Sequence, residues 1–238
     1  MDVKEGIRQK LATANRILVN ENLTELGRGH VCYRLEENRI MIPGHLHDFQ
    51  RSIADCTASD MVIIDYEGNV VEGSYPESMH EFYFYSEVFR LRKELKAALH
   101  MHAFYTNLLA MAGHKLVMAS RDSFPFTEGV PLFDGLPLFV NTKEMGHRMA
   151  ERLGKSRAII HRGHGAFVVG ESIEDAVITA AALERASKKQ LMASPLGHLL
   201  EYDIEEIRKT NTEEIRHEVM EIDWGYFVTR LEKKGVNI

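Results

Sequence analysis

Apolar positions recur along this chain with two different periods. Over 3–22, Ile7, Leu11, Ala14, Ile17 and Leu18 fall at helical spacing. Short β-like runs follow at 30–35 and 39–43, and 60–66, carrying Met61-Val62-Ile63-Ile64, reads as a strand. Glu67-Gly68-Asn69 then turns the chain into Val70-Val71, a hairpin signal. Phe82, Tyr85, Val88, Phe89 and Leu95 share one face of a helix predicted over 80–95. Residues 96–102 are strand-like, 103–112 return to helix, 135–139 look extended and 142–153 are helical. A long apolar run at 158–169 is broken by Arg162-Gly163-His164-Gly165. The clearest periodicity spans 172–194, where Ser172 caps a helix with Ile173, Ala176, Val177, Ala180, Leu183, Ala186 and Leu191 on one face. Helices mixed with strands, some joined by hairpins, predict an α/β fold with helices packed on a mixed sheet.

No repeat, low-complexity tract or Pro/Gly/Ser linker divides the 238 residues. One domain over 1–238 is expected, with a C-terminal tail at about 200–238. Lys and Arg number 29 against 35 Asp and Glu, a net charge of −6, so neither nucleic acid nor an anionic membrane is expected as a partner. Cys32 and Cys56 cannot build a disulfide framework. The first ten residues lack the apolar core of a signal peptide, and no window approaches the roughly 18–20 apolar residues of a membrane span. A cytoplasmic location is the expectation. The unusual count is twelve histidines, because neutral imidazole is the commonest metal ligand and titrates near neutrality.

Three features carry chemistry. In Ala97-Ala98-Leu99-His100-Met101-His102, residues i and i+2 of a strand share a face, so His100 and His102 project side by side where they can share an ion. Two polar residues on the wet face of an ordinary strand is the plainer reading. In Ile160-His161-Arg162-Gly163-His164-Gly165-Ala166, a histidine between glycines interrupts apolar sequence, and a bulge there would aim His164 into a cavity. The plainer reading is a surface turn, against which the apolar flanks argue. His161 reads as structural. Glu81 opens the helix before the His-x-His strand, where the helix dipole favours a carboxylate with or without a function.

Taken in order, these motifs resemble the class II aldolase/adducin-head family. The likeness runs over about 5–195 and takes in the opening helix, a Gly-x-x-x-x-Arg element at Gly29–Arg34, the strand near 40–43, the strand pair at 60–73, Glu81, His100-x-His102, His164-Gly165 and the helix at 172–191. The resemblance implies a three-layer α/β/α architecture with a central mixed, largely antiparallel sheet. It implies that His100, His102 and His164 are ligands of one divalent ion per subunit, with Glu81 as a further ligand and the catalytic acid/base. Zinc is the first choice from the ligand set, with Mn, Co or Mg as alternatives. The implied activity is a metal-dependent carbon–carbon lyase, and the implied assembly is a homo-oligomer, a tetramer with sites at subunit interfaces. The aromatic cluster Asp223-Trp224-Gly225-Tyr226-Phe227 could cover a neighbour's site or pack on its own core.

The chain departs from the sugar-phosphate members of that family. Their phosphate motifs correspond here to Gly29-His30, Gly44-His45 and Met79-His80, with Ser78 alongside, so most of the small donors are replaced. Gly29-His30 and the Arg-Gly-His-Gly around His164 are similar to a branch that decarboxylates hydroxylated aromatic or heteroaromatic acids through a metal-stabilised enolate. The alternatives are an aldolase or epimerase on a sugar phosphate of the fuculose or ribulose type, and an adducin-like head without catalysis. His30, His45, Ser78, Arg34 and Arg121 are the candidate substrate-binding residues, and Arg28 is a further arginine able to hold a carboxylate.

Overall fold

The computed structural model describes residues 3–36, 38–44, 52–136 and 139–236. Among these, eight strands form one sheet in the order β4-β3-β2-β1-β5-β8-β7-β6. The strands are β1 (Gly29–Arg34), β2 (Arg39–Pro43), β3 (Met61–Asp65), β4 (Val70–Glu72), β5 (Ala97–Met101), β6 (Leu132–Phe133), β7 (Ala158–His161) and β8 (Gly165–Gly170). All neighbours run antiparallel except β6 and β7. The extended run expected at 135–139 is displaced: the strand forms earlier, at Leu132–Phe133, and residues 137 and 138 lie outside the described set.

Strand alternation divides the core into two layers. Leu99 and Met101 of β5 face one way with Val31, Met41 and Ile63, under α1 (Val3–Asn20), α5 (Ile173–Ala193) and α7 (Glu213–Lys233). Ala98 faces the other way with Cys32, Ile42, Val62 and Phe167, under α2 (Phe82–Leu91) and α4 (Lys143–Leu153). Central strands buried on both faces explain why 97–101 and 165–170 are apolar throughout apart from one histidine. Ser172 caps α5 as the sequence predicts, its Oγ accepting from Asp175 N at 3.1 Å.

The stretch expected as a tail holds two helices, α6 (Ile204–Thr210) and α7. Phe227 and Leu231 of α7 are buried in the chain's own core, and Arg230 pairs with Glu21 at 2.8 Å. The aromatic cluster thus packs on its own subunit, although Tyr226 stays exposed.

One contact fixes the helix that follows the His-x-His strand. The Glu184 carboxylate of α5 accepts from Tyr105 N at 2.9 Å and from Thr106 N and Oγ1 at 2.8 Å, capping α3 (Phe104–Met111) from 79 residues away. Glu184→Ala leaves three donors at that end without their acceptor. It should lower unfolding stability by about 1–3 kcal/mol. Urea denaturation checks this, and an unchanged midpoint would show that water replaces the cap without loss.

Candidate metal centre

The site lies where β5 meets its two neighbours. His100 is opposite His30 on β1 and opposite Phe167 on β8, and its ring stacks on Phe167 at 4.3 Å between centroids. Two glycines make the approach possible. A Cβ at Gly29 would lie 2.6 Å from His100 O, and one at Gly165 would lie 2.4 Å from Met101 O and 2.9 Å from His100 Cε1.

His100 Nδ1 lies 3.1 Å from Ala166 O. A carbonyl only accepts, so Nδ1 carries the proton and Nε2 presents its lone pair. That Nε2 lies 2.9 Å from His102 Nε2 and 3.2 Å from Glu81 Oε2. His164 completes the group, its Nδ1 3.7 Å from Glu81 Oε1. One nitrogen from each of the three histidines falls within 4.8 Å of the others. His164 does not interrupt a strand, as the sequence suggested. It ends the turn between β7 and β8, with Arg162 and Gly163 exposed while its own ring folds inward and is buried. Asn107 Nδ2 donates to His164 O at 3.0 Å and anchors that turn.

Burial keeps these imidazoles neutral. It pushes His164 down to about 4 and His100 well below the usual histidine range, each reinforced by neighbouring histidines. Burial also lowers His102, helped by the positive charge of Arg28. Glu81 moves the opposite way, up to about 7, because burial outweighs the bond it accepts from Val140 N at 3.1 Å. Both ring nitrogens of His164 are buried without a hydrogen-bond partner. Orphaned, neutral, converging nitrogens are the donor set a divalent transition metal takes, so the residues present fit such an ion.

Glu81 is not in the first helical turn. It precedes α2 as its N-cap, at φ 71° and ψ 15°, with no side-chain cap bond. This left-handed conformation in a non-glycine residue costs free energy, and the carboxylate points to the histidines instead of the helix's free N–H groups.

The other expected residues are placed as follows. His30 is buried behind His100, its Nε2 3.0 Å from the Tyr85 hydroxyl, and burial lowers it to about 3. Ser78 is buried and bridged to Gly44, but its hydroxyl donates to Met79 O at 3.1 Å. His45 lies outside the described residues. Arg34 is not brought to the cluster within this chain. It sits four residues beyond His30, about 13 Å along β1, with its guanidinium on the carbonyls of Phe89 and Lys93 at the end of α2. Arg121 belongs to the opposite layer, where it lines a cavity of about 350 Å³ between α5 and α7 with Phe124, Ile178 and Arg216. His161 Nε2 donates to Gly135 O at 3.0 Å. Sequence reasoning missed Tyr85, Asn107 and the Val140 amide. Only Tyr85 left a signal, as a phenol on an apolar helix face whose hydroxyl needs a buried partner.

The fold and the site define a class of α/β protein in which three imidazoles and a buried carboxyl converge at the end of central strands. The family described as "Class II Aldolase and Adducin N-terminal domain" matches residues 9–191, and the chain belongs to it. It is 29% identical to the decarboxylase NovR of Streptomyces niveus over 155 residues, 65% of this chain and 57% of that protein. The chain therefore spans little more than half the length of that relative. It is 26% identical to a 3,4-dihydroxyphthalate decarboxylase of Arthrobacter keyseri, with 82% of each chain covered. In structure it resembles an L-fuculose 1-phosphate aldolase from Glaciozyma antarctica, with a TM-score of 0.79, 23% identity and coverage of 98% of this chain and 91% of that one.

The raised pKa of Glu81 means that the native state holds this proton more tightly than the unfolded chain does. Its contribution to stability is full below about 4.5 and is lost as pH rises through about 7. In metal-free protein, Glu81→Gln removes that loss. The variant should gain about 2 kcal/mol on the parent between pH 5 and pH 8, measured from denaturation midpoints. A difference that stays constant with pH would show that Glu81 is already ionised at pH 5.

Proposed function

We propose that the chain is a divalent-metal-dependent lyase that decarboxylates a hydroxylated aromatic or heteroaromatic acid. The observation that carries the reading is the convergence of three imidazoles beside a buried carboxyl, with Glu81 Oε2 3.2 Å from His100 Nε2. Distant relatives named as decarboxylases, one of them of a dihydroxyphthalate, support the same chemistry.

His100, His102 and His164 would hold the ion, zinc as first choice with Mn, Co or Mg as alternatives. The bound ion would supply positive charge beside a ring oxygen. In the reaction, the bond between the ring and the carboxylate breaks, carbon dioxide leaves, and the electron pair enters the ring and spreads to that oxygen. Glu81 then delivers its proton to the ring carbon. Burial raises its hold on a proton, which suits a donor, and the strained backbone holds it facing His100 and His164 rather than the helix end. The apolar surroundings, with Phe167 stacked on His100 and Phe139 5.7 Å from His164 between centroids, suit a planar ring. A sugar-phosphate aldolase is the second reading. Against it, the Ser78 hydroxyl is engaged with Met79 O at 3.1 Å. A non-catalytic adducin-like head would have no use for a neutral carboxyl and orphaned imidazoles held at this cost in burial.

The test is a screen of metal-replete protein with hydroxy-aromatic acids and with ketose 1-phosphates. Carbon dioxide release is expected, falling at least about 10²-fold in Glu81→Gln with the metal retained. His100→Ala should lose the metal by elemental analysis. Rapid cleavage of a ketose 1-phosphate with no carbon dioxide from any acid would overturn the reading.

We also propose a homo-oligomer, a tetramer. Phe104, Leu108 and Met111 form an exposed apolar stripe at i, i+4 and i+7 on α3, the helix that follows His102. Light scattering at micromolar concentration should show the oligomer, and Leu108→Glu should dissociate it. A monomer with full activity is the contrary result.

A further inference from the structure

We propose that Arg28 is the specificity-determining residue that receives the substrate's carboxylate, an assignment that rests on the hydroxy-aromatic acid reading above. Register carries it. On β1 and β5, His30 stands opposite His100 and Gly29 opposite Met101, so Arg28 and His102 are the residues that flank the last pair of this ladder. The Arg28 charge is accordingly felt at the His102 ring.

Availability is the second argument. Arg34 is spent on backbone carbonyls at the far end of β1. Arg162, in the turn beside His164, is paired with Asp134. Arg28 is exposed, and among the described residues its guanidinium has no hydrogen-bond or ion-pair partner. The cluster's own side chains are three imidazoles and a carboxyl, none of which can take a carboxylate in two parallel N–H bonds. A substrate whose ring oxygen points at the three imidazoles needs a cation at the rim for its carboxylate, and Arg28 is in place to provide two parallel N–H donors. Its exposure also suits the chemistry. A buried ion pair would stabilise the carboxylate before it leaves, whereas a solvated one orients it with little loss of reactivity.

The experiment is calorimetric binding of 3,4-dihydroxybenzoate and of catechol, which lacks the carboxylate, to metal-loaded protein. Arg28→Gln should weaken the acid about tenfold and leave catechol within about twofold, and Arg28→Lys should restore part of the loss. Because Arg28 is exposed, the fold should survive, as circular dichroism checks. Equal affinity of parent and Arg28→Gln for the acid, equal losses for acid and catechol, or no binding of the acid by the parent overturns the assignment. Carbon dioxide release, measured in parallel, separates it from the reading beneath it. Arg28-dependent acid binding with no carbon dioxide leaves Arg28 in its role and removes the decarboxylase, whereas release and acid binding both unaffected by Arg28→Gln do the reverse.

Discussion

Everything in the site depends on how closely β1 and β8 close on β5. At Gly29 and Gly165 there is no space for even one methyl group, because the His100 and Met101 carbonyls and the His100 ring already fill it. That closeness buries His100 completely, sets Ala166 O where it takes the Nδ1 proton, and leaves Nε2 as a lone pair aimed at its neighbours. The tautomer of the central ligand is thus decided by sheet pairing and not by the ligand's own side chain.

Low polarity does the remaining work. In water, three imidazoles and a carboxylate would form a mixture of charge states near neutrality. Here burial drives histidines down and Glu81 up, so the two classes of group separate by about three pH units between His164 at about 4 and Glu81 at about 7. Such separation suits the proposed roles, in which the histidines offer lone pairs and the carboxyl a transferable proton. The helix that follows is fixed by Glu184, so the strand carrying these ligands runs into a rigid element at its open end.

Much of this was legible in the sequence. Period-two alternation put His100 and His102 on one face, the glycines marked a close approach, and the apolar flanks of His164 signalled burial. The turn was misread because a three-residue connection between buried strands has the same apolar flanks as a kinked strand; what differs is the pairing of His161 with Gly165, which no local pattern records. The substrate arginine was ambiguous for a related reason. Arg28 precedes β1 and Arg34 ends it, and only the register against β5 tells which end carries the histidines. Glu81's left-handed backbone and Glu184's cap were out of reach, since one is imposed by tertiary packing and the other joins residues 79 apart.

The left-handed backbone at Glu81 has a consequence for anyone stabilising this protein by directed evolution. Glycine, and to a lesser degree asparagine, adopts φ near 71° with little strain, so a library screened for thermal tolerance alone should enrich them at this position. Each would relieve both the backbone strain and the burial of a carboxyl, and each would delete the group on which the proposed chemistry turns. Position 81 is therefore where selection for robustness and selection for turnover pull in opposite directions.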